Sequence, residues 1–276
     1  FYRGQGDTEW RLTPKLYREK LFDHESVLIA ELMRIAPESF IGMSRFDNLV
    51  KMQHYGLPTR LLDMTRNPLG ALFFACADET TRDSDGAVYV FPQLPVFRQE
   101  NGAIRIILKY VFEYSGLELN IASFVDDIKN HSQWNTPHEI RYTDESKILH
   151  PLVKVPFHAV LPSMANERIT CQDGAFMLFG MTAEEIRTST NPGTLGRRYL
   201  KLGPLECPND PASLWHTSKV YIIPSRLKTG ILNDLSFMGV SNYKLFPELD
   251  YKTNYVTQLV FGKLTGSSLS TQNGNT

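Results

Sequence analysis

A dense run of hydrogen-bonding side chains, residues 53–65, lies between two apolar stretches and limits how this chain can fold. The run reads QHYGLPTRLLDMT. If both flanking stretches form buried helices, these side chains are drawn to an edge of the core, where an unpaired donor or acceptor is costly. They must therefore bind either a ligand or each other. A self-satisfied network, with His54 bound to a backbone carbonyl and Arg60 paired with Asp63, fits the pattern as well as a ligand site does.

Helix-end signals flank this run. Asp47 can cap a helix that runs toward His54 and stops at Gly56. Asn67, followed by a proline, is typical of the start of a second helix, which is apolar nearly all round and should be buried. An uneven apolar stripe over residues 26–40 predicts a further core-facing helix.

Segments rich in β-forming residues predict the strands of a sheet. They are residues 1–4, 59–65, 86–91, 104–109, 175–179 and 220–223. With the helices, they predict an α+β fold that has a mixed or antiparallel central sheet with flanking helices. We expect residues 1–266 to form a single domain and residues 267–276, rich in Ser, Thr, Gly and Asn, to be a disordered tail.

The composition is that of an ordinary globular protein. With 276 residues, of which 42% are hydrophobic, the chain can bury a substantial core. Its 29 Lys and Arg residues nearly balance its 30 Asp and Glu residues. This balance excludes the overall basic field that attracts nucleic acid without sequence preference, but leaves a local basic groove possible.

The cysteines and the absence of long apolar runs predict a cytoplasmic protein. The three cysteines are far apart and odd in number, which suits a reducing compartment and not a disulfide framework or a zinc site. No apolar run approaches the roughly 20 residues that span a bilayer, and nothing resembles a cleavable signal. The sequence starts at Phe1 without an initiator Met, which fits a fragment of a longer chain.

Two other polar segments adjoin predicted strands. Arg3 ends the first strand, just before Gly4, where its guanidinium can present donors to phosphate or carboxylate oxygens and the glycine lets a ligand approach the backbone. A structural salt bridge is the alternative for Arg3. Residues 166–176 place an Arg, a Gln and an Asp-Gly turn before an apolar strand, although the turn alone explains this pattern too.

Taken together, these segments resemble the FRG domain family, which is named for its aromatic-Arg-Gly opening. The resemblance rests on residues 1–5, 53–63, 67–68 with the helix over 71–75, 168–176 and 245–250. The region 96–150 carries no motif of the family. FRG domains occur in bacteria and phages, often in contexts of defence or toxin activity, so the resemblance implies such a role.

The order of the motifs is also similar to the layout of ADP-ribosyltransferase sites. There, an arginine on the first strand grips the pyrophosphate of NAD, and a Thr-bearing strand and helix shape the nicotinamide pocket. A glutamate stabilises the oxocarbenium-like transition state as nicotinamide leaves. The resemblance runs through Arg3, residues 59–65 and Gln172, and it implies a fold of that type with NAD as the cofactor.

This chain departs from that layout at the catalytic glutamate. The glutamate should lie two residues after Gln172, where the chain has Gly174. Its loss would forfeit about 2.7–4 kcal/mol of transition-state stabilisation, by analogy with the removal of one oxyanion donor. His54, Tyr55 and Asp63 are the candidates to act instead, since some relatives of these enzymes hold the nicotinamide ribose with a His and a Tyr.

Two other functions remain open. One is a non-catalytic module that binds a nucleotide or phosphorylated ligand, with Arg3 and Arg60 as anion clamps. The other is a hydrolase that uses Asp63 with His54 on nucleic acid, which the balanced charge and the lack of a carboxylate cluster for two metal ions disfavour. A serine-nucleophile enzyme is disfavoured because the chain has no G-x-S-x-G motif.

The resulting candidate residues fall into two groups. The catalytic candidates are His54, Tyr55 and Asp63, and the cofactor-binding candidates are Arg3, Gly4, Gln5, Thr59, Arg60, Thr65, Arg168 and Gln172. No metal ligands are predicted. The predicted partners are a nucleotide-type small molecule and a protein or nucleic-acid acceptor, and not a membrane.

Overall fold

The computed structural model describes residues 1–114, 116–130, 144–163, 167–188, 197–205, 219–248, 251–253 and 256–257. The predicted tail at residues 267–276 and Asn166 lie outside these ranges. Among the described residues, no helix combines the length and the apolar character needed to cross a bilayer.

Strands and helices alternate irregularly along the chain. The strands are β1 (Tyr2–Gln5), β2 (Leu61–Thr65), β3 (Gly86–Val90), β4 (Val96–Arg98), β5 (Glu118–Asn120), β6 (Phe157–Leu161), β7 (Gly174–Phe179), β8 (Met181–Thr188), β9 (Arg197–Pro204) and β10 (Lys219–Ile223). The α-helices are α1 (Lys15–Arg18), α2 (Glu25–Ile35), α3 (Arg45–His54), α4 (Pro68–Cys76), α5 (Gly102–Glu113), α6 (Ile121–Asn130), α7 (Glu145–Val153), α8 (Glu167–Gln172), α9 (Lys228–Phe237) and α10 (Asn242–Leu245).

A seven-stranded sheet forms the centre of the fold, in the order β10-β3-β1-β2-β7-β6-β4. Its neighbouring strands are antiparallel except for the parallel pair β4 and β6. A smaller antiparallel sheet has the order β5-β9-β8. The predicted α+β class, with a mixed central sheet and flanking helices, is confirmed.

The central sheet divides between β1 and β2. These neighbours share a single register pair, Tyr2 with Thr65. In contrast, β1 pairs with β3 along its full length, and β2 pairs with β7 along its full length. Beyond the shared pair, the carbonyl oxygen of Asp63 on β2 accepts a hydrogen bond from the Arg3 side chain on β1. The sheet therefore divides next to Arg3 and Asp63, which are two of the predicted site residues.

Helix α4 covers one face of β1 and β3, and two glycines let it approach closely. A Cβ atom on Gly4 would lie 1.9 Å from the carbonyl oxygen of Ala71, and one on Gly86 would lie 2.4 Å from that of Ala75. As predicted, Asn67 caps this helix, since its side chain accepts hydrogen bonds from the amides of Leu69 and Gly70. The other face of the sheet packs on the main core, to which α2, α3, α5 and α7 contribute apolar side chains.

Two local predictions were wrong. Residues 104–109 belong to α5 and not to a strand, because Asn101 caps a helix whose buried residues Ile104, Ile107, Leu108 and Val111 follow helical spacing. The helix that ends at His54 is capped by Ser44 and not by Asp47: the Ser44 hydroxyl accepts from the Asp47 amide. The predicted stop at Gly56 is confirmed by its positive φ of 97°.

Candidate functional site

Six polar side chains from separate parts of the chain form a connected group where α3, β1, β2, α8 and the segment after α10 meet. We call this group the polar cluster. Its members are Arg3, Gln53, His54, Asp63, Arg168 and Glu248.

Arg3 enters the polar cluster from β1. Its Nη1 donates a hydrogen bond of 2.6 Å to the carbonyl oxygen of Asp63, while its buried Nε has no partner among the described residues. Burial lowers the pKa of Arg3 to about 10, although the nearby Asp63 carboxylate opposes this shift. A guanidinium that is partly buried and only partly bonded is well suited to an anionic ligand.

Gln5 follows two residues later on the same strand and so faces the same side of the sheet as Arg3. The Gln5 side chain is only 3% exposed, and its Oε1 has no hydrogen-bond donor in the described part of the chain. Buried polar atoms nearly always have partners, so these unmatched atoms on β1 are typical of a site that a ligand or water completes.

Gln53 holds Asp63 in place. Its Nε2 donates to Asp63 Oδ1 at 3.0 Å, and its Oε1 accepts from the hydroxyl of the buried Thr59 at 2.5 Å. Gln53 thus connects the end of α3 to β2 and fixes the orientation of the Asp63 carboxylate. Thr59 supports this arrangement from behind and does not itself face solvent.

His54 faces a carboxylate from the far end of the described chain. Its Nε2 lies 3.5 Å from Oε1 of Glu248, and the same oxygen lies 3.3 Å from Nη1 of Arg168. Burial and the positive charge of Arg168 lower the pKa of His54, while Glu248 and Asp63 oppose the shift. The imidazole is therefore mainly neutral near pH 7 and can accept a proton.

In the Glu248 carboxylate, only one of the two oxygens, Oε1, has a partner in the cluster. Its Oε2 is buried and has no hydrogen-bond donor within the described ranges. The guanidinium of Arg168 lies over the ring of Phe246, 4.8 Å from its centroid, so the segment that carries Glu248 is held against α8. An acceptor of this kind is available to a bound molecule.

Tyr55 lies beside the cluster and not within it. Its ring contacts that of His54 edge-on, with 4.9 Å between the centroids, and its side chain is exposed to solvent. Tyr55 is therefore accessible to a ligand that binds next to His54.

Arg60 is an internal structural residue and not an accessible anion clamp. Its side chain is fully buried and is paired with Glu25. The self-satisfied network would require a pair with Asp63 instead, so that alternative is wrong for Arg60. Its Nη1 also donates to the carbonyl oxygen of Phe179. Burial by itself would lower the pKa of Arg60, but the Glu25 carboxylate outweighs it and the net shift is upward.

Thr65 and Gln172 join β2 to α8. The buried Thr65 hydroxyl donates to the backbone carbonyl of Gln172 at 2.6 Å, and the Gln172 side chain donates to the carbonyl oxygen of Leu245 at 3.1 Å. Gln172 therefore helps to place the segment that leads to Glu248. Gly174, opposite Thr65 in the sheet, supplies no carboxylate.

The FRG domain family model matches residues 1–84. The match covers less than half of the chain, so the similarity to the FRG domain family is shown for this stretch alone. The recognised resemblance is thus confirmed for the part of the chain that carries β1, α3, β2 and α4. No curated protein and no solved structure matches the chain. The likeness to ADP-ribosyltransferases, in fold and in site, stays a prediction.

The stretch that matches the FRG domain model supplies four of the six members of the polar cluster, and Arg168 and Glu248 come from beyond it. Gly4, in the domain's name-giving motif, turns toward α4 and makes room for that helix. Its role as a ligand contact stays a prediction.

Sequence reasoning missed Gln53 and Glu248 as site residues. Both lie in segments that resemble the FRG family, and this resemblance is the sequence signal that could have identified them as site residues. Their partners, however, are set by tertiary contacts that the sequence does not reveal. Within the described ranges, no three His, Cys, Asp or Glu side chains are grouped as ligands of a metal ion would be.

Proposed function

We propose that the polar cluster is the site of an NAD-dependent enzyme, either an ADP-ribosyltransferase or an NAD-cleaving enzyme, that acts in bacterial defence or toxicity. One observation carries the proposal. Arg3 and Glu248 belong to one cluster, because Arg3 bonds Asp63, Gln53 joins Asp63 to the adjacent His54, and His54 faces Glu248; Arg3 and Glu248 each have a buried polar atom without a described partner. One unmatched atom is a donor and the other is an acceptor, as a ligand with both phosphates and hydroxyls requires.

The residues fit NAD in charge and in chemistry. Arg3 suits a pyrophosphate, because its guanidinium is partly desolvated and its Nε is free to donate among the described residues. The exposed ring of Tyr55 can stack on a planar group that lies next to His54. Glu248 can accept hydrogen bonds from ribose hydroxyls through Oε2.

In this reaction, the bond between the nicotinamide nitrogen of NAD and C1′ of the ribose breaks. The electron pair of that bond leaves with nicotinamide. An oxygen of water, or of a protein or nucleic-acid acceptor, forms the new bond to C1′. His54, kept mainly neutral near pH 7 by its lowered pKa, accepts the proton of that oxygen. Glu248 supplies negative charge beside the reacting carbon, in the role that Gly174 cannot fill.

The test is incubation of the purified chain with NAD labelled in its nicotinamide ring, followed by chromatography of released nicotinamide. We expect release by the wild-type chain and a loss of roughly 100-fold or more in Glu248→Gln, as for removal of one electrostatic contact to a transition state. Arg3→Ala should mainly weaken NAD binding. Arg34→Ala, which removes a surface ion pair on α2, is the control and should keep full turnover.

The proposal fails if the wild-type chain neither binds nor cleaves NAD and Arg3→Ala changes nothing. It also fails if Glu248→Gln and His54→Ala both keep wild-type turnover, because the cleavage would then occur elsewhere.

A non-catalytic nucleotide-binding module is the second candidate. It is favoured by Gly174, which leaves the position after Gln172 without a carboxylate, although Arg60 is too buried to serve as its second anion clamp. This module would bind NAD or a related phosphate ligand through Arg3 and release no nicotinamide. The same experiment separates the two candidates, since binding without turnover supports the module.

A further inference from the structure

A cleft of about 740 Å³ lies on the other side of α4 from the sheet, between the end of α4, helix α9 and the segment around α10. This volume is within the range of small-molecule sites in proteins. Its lining combines charged, hydroxyl and aromatic side chains, including Glu79, Arg82, Lys228, Ser241, Tyr243 and Tyr251. None of the predicted site residues is among the residues that line it.

Lys228 contributes a buried positive charge to this cleft. It is only 1% exposed, and its Nζ donates to the carbonyl oxygens of Gly6 and Thr81, each at 2.7 Å. An ammonium group has three donors, so one remains. No carboxylate in the described part of the chain lies at ion-pair distance from Nζ. A buried charge without a counter-ion is costly, and a bound anion would offset that cost.

Two further groups at the cleft favour an anion. The Ser241 hydroxyl lines the cleft, and its buried Oγ has no partner among the described residues. Arg82, also on the lining, forms no ion pair within the described ranges.

The rest of the lining suits the other parts of a nucleotide. Tyr251 is 38% exposed and offers aromatic surface for a planar ring, which we call the aromatic wall, while its ring also stacks on that of Phe246. Glu79 makes no ion pair among the described residues and can accept from sugar hydroxyls, whereas the Asp78 carboxylate is already bound by the amide and hydroxyl of Thr80.

We propose that this cleft is a second binding site, for a phosphate-bearing mononucleotide. The phosphate binds beside the side chains of Lys228, Arg82 and Ser241, and the base lies against the aromatic wall. The site is separate from the polar cluster and does not depend on the activity proposed there. The segment from Ser241 to Glu248 contributes to both sites, since Ser241 lines the cleft and Glu248 contacts His54.

The test measures binding of AMP and of inorganic phosphate to the purified full chain by isothermal titration calorimetry. Replacement of the buried Lys228 can prevent folding, so the diagnostic change is Thr229→Glu, on the exposed second residue of α9. Glutamate in the first turn favours the helix, yet it repels an anion in the cleft. Thr229→Gln is the matched neutral control. Arg3→Ala is the control for the polar cluster.

We expect the wild-type chain to bind AMP more tightly than phosphate, because only AMP reaches the aromatic wall. Thr229→Glu should weaken AMP binding at least tenfold, about 1.4 kcal/mol, whereas Thr229→Gln and Arg3→Ala should stay near wild type. The proposal is overturned if the wild-type chain binds neither probe at millimolar concentration, or if Thr229→Glu binds as the wild type does. It is equally overturned if Arg3→Ala abolishes AMP binding, since the ligand then occupies the polar cluster.

Discussion

Arg60 and Glu25 form an ion pair that is closed off from water, with 0% and 4% of these residues exposed. The Nε of Arg60 lies 2.9 Å from both carboxylate oxygens, and its Nη2 is bonded to one of them as well. The rings of Phe22 and Tyr110 flank the guanidinium. The pair links α2 to the residue directly before β2.

Breaking this pair should destabilise the protein strongly. In Arg60→Met, the Glu25 carboxylate is left buried without its partner, and we expect a loss of about 3–5 kcal/mol in the free energy of unfolding, measured by urea denaturation. The double variant Arg60→Met with Glu25→Leu should recover much of this loss, because neither charge remains. Arg34→Ala removes an exposed pair and should change little. A single variant as stable as the wild type would contradict the assigned role of Arg60.

Gly4 and Gly230 provide a matched test of helix packing. Gly4→Ala places a Cβ atom 1.9 Å from the carbonyl oxygen of Ala71, so α4 must move away from β1. We expect this change to cost about 1–3 kcal/mol, measured by thermal or urea unfolding. Gly230→Ala meets no atom within 4 Å and lies inside α9, so the same change should stabilise slightly. Equal effects at the two positions would argue against the close contact of α4 with β1.

His158 should make stability fall in mild acid. It is buried, its Nε2 lies 3.3 Å from the carbonyl oxygen of Pro151, and its Nδ1 has no partner among the described residues. Burial lowers the pKa of His158 in the folded state. The unfolded chain therefore takes up a proton near pH 6.5 that the folded chain resists, so the free energy of unfolding decreases as the pH falls below about 6.5.

The measurement is urea unfolding at several pH values between about 7.5 and 5.5 for the wild type and His158→Gln. The pKa of His54 is lowered too, so both proteins should retain its contribution. The variant should show the smaller pH dependence. If both proteins show the same slope with pH, His158 does not have the assigned effect.

Cys76 and Cys171 should differ in reactivity toward thiol reagents. Burial raises the pKa of Cys76 to about 11, although the nearby Lys228 opposes this shift, whereas Cys171 is exposed. Since the thiolate is the reactive form, maleimide near pH 7.5 should label Cys171 in the folded protein and leave Cys76 free. Peptide mass spectrometry after labelling, with a sample in urea as the control, checks this. Rapid labelling of native Cys76 would show that α4 is not packed as described.

The sequence predicted the elements whose signals are local. Asn67 and Gly56 mark helix ends because capping and positive φ depend on a few neighbouring atoms. The strand prediction for residues 104–109 failed because weight was given to the β-branched isoleucines, while the cap at Asn101 and the spacing of the buried residues indicated a helix. Local propensity yields to packing in such segments.

The site was only partly predictable for a similar reason. The chemistry of short segments predicts Arg3, His54 and Asp63, and in the structure Asp63 bonds both Arg3 and Gln53, the neighbour of His54. The pairing of Arg60 with Glu25 spans 35 residues, and the contact between His54 and Glu248 joins residues that are still farther apart in the sequence. No local pattern encodes such distant partners, so a buried structural arginine and a ligand-binding one look alike in sequence.

The division of the central sheet bears on where this protein can be cut. The FRG match ends at residue 84. However, the strand that pairs with β1 along its full length is β3, at residues 86–90, and the strand that pairs with β2 along its full length is β7, at residues 174–179. A fragment truncated after residue 84 would hold its two strands together through one register pair, with both outer edges bare and prone to aggregate. The segment that matches the family model is thus smaller than the smallest fragment that we expect to fold on its own.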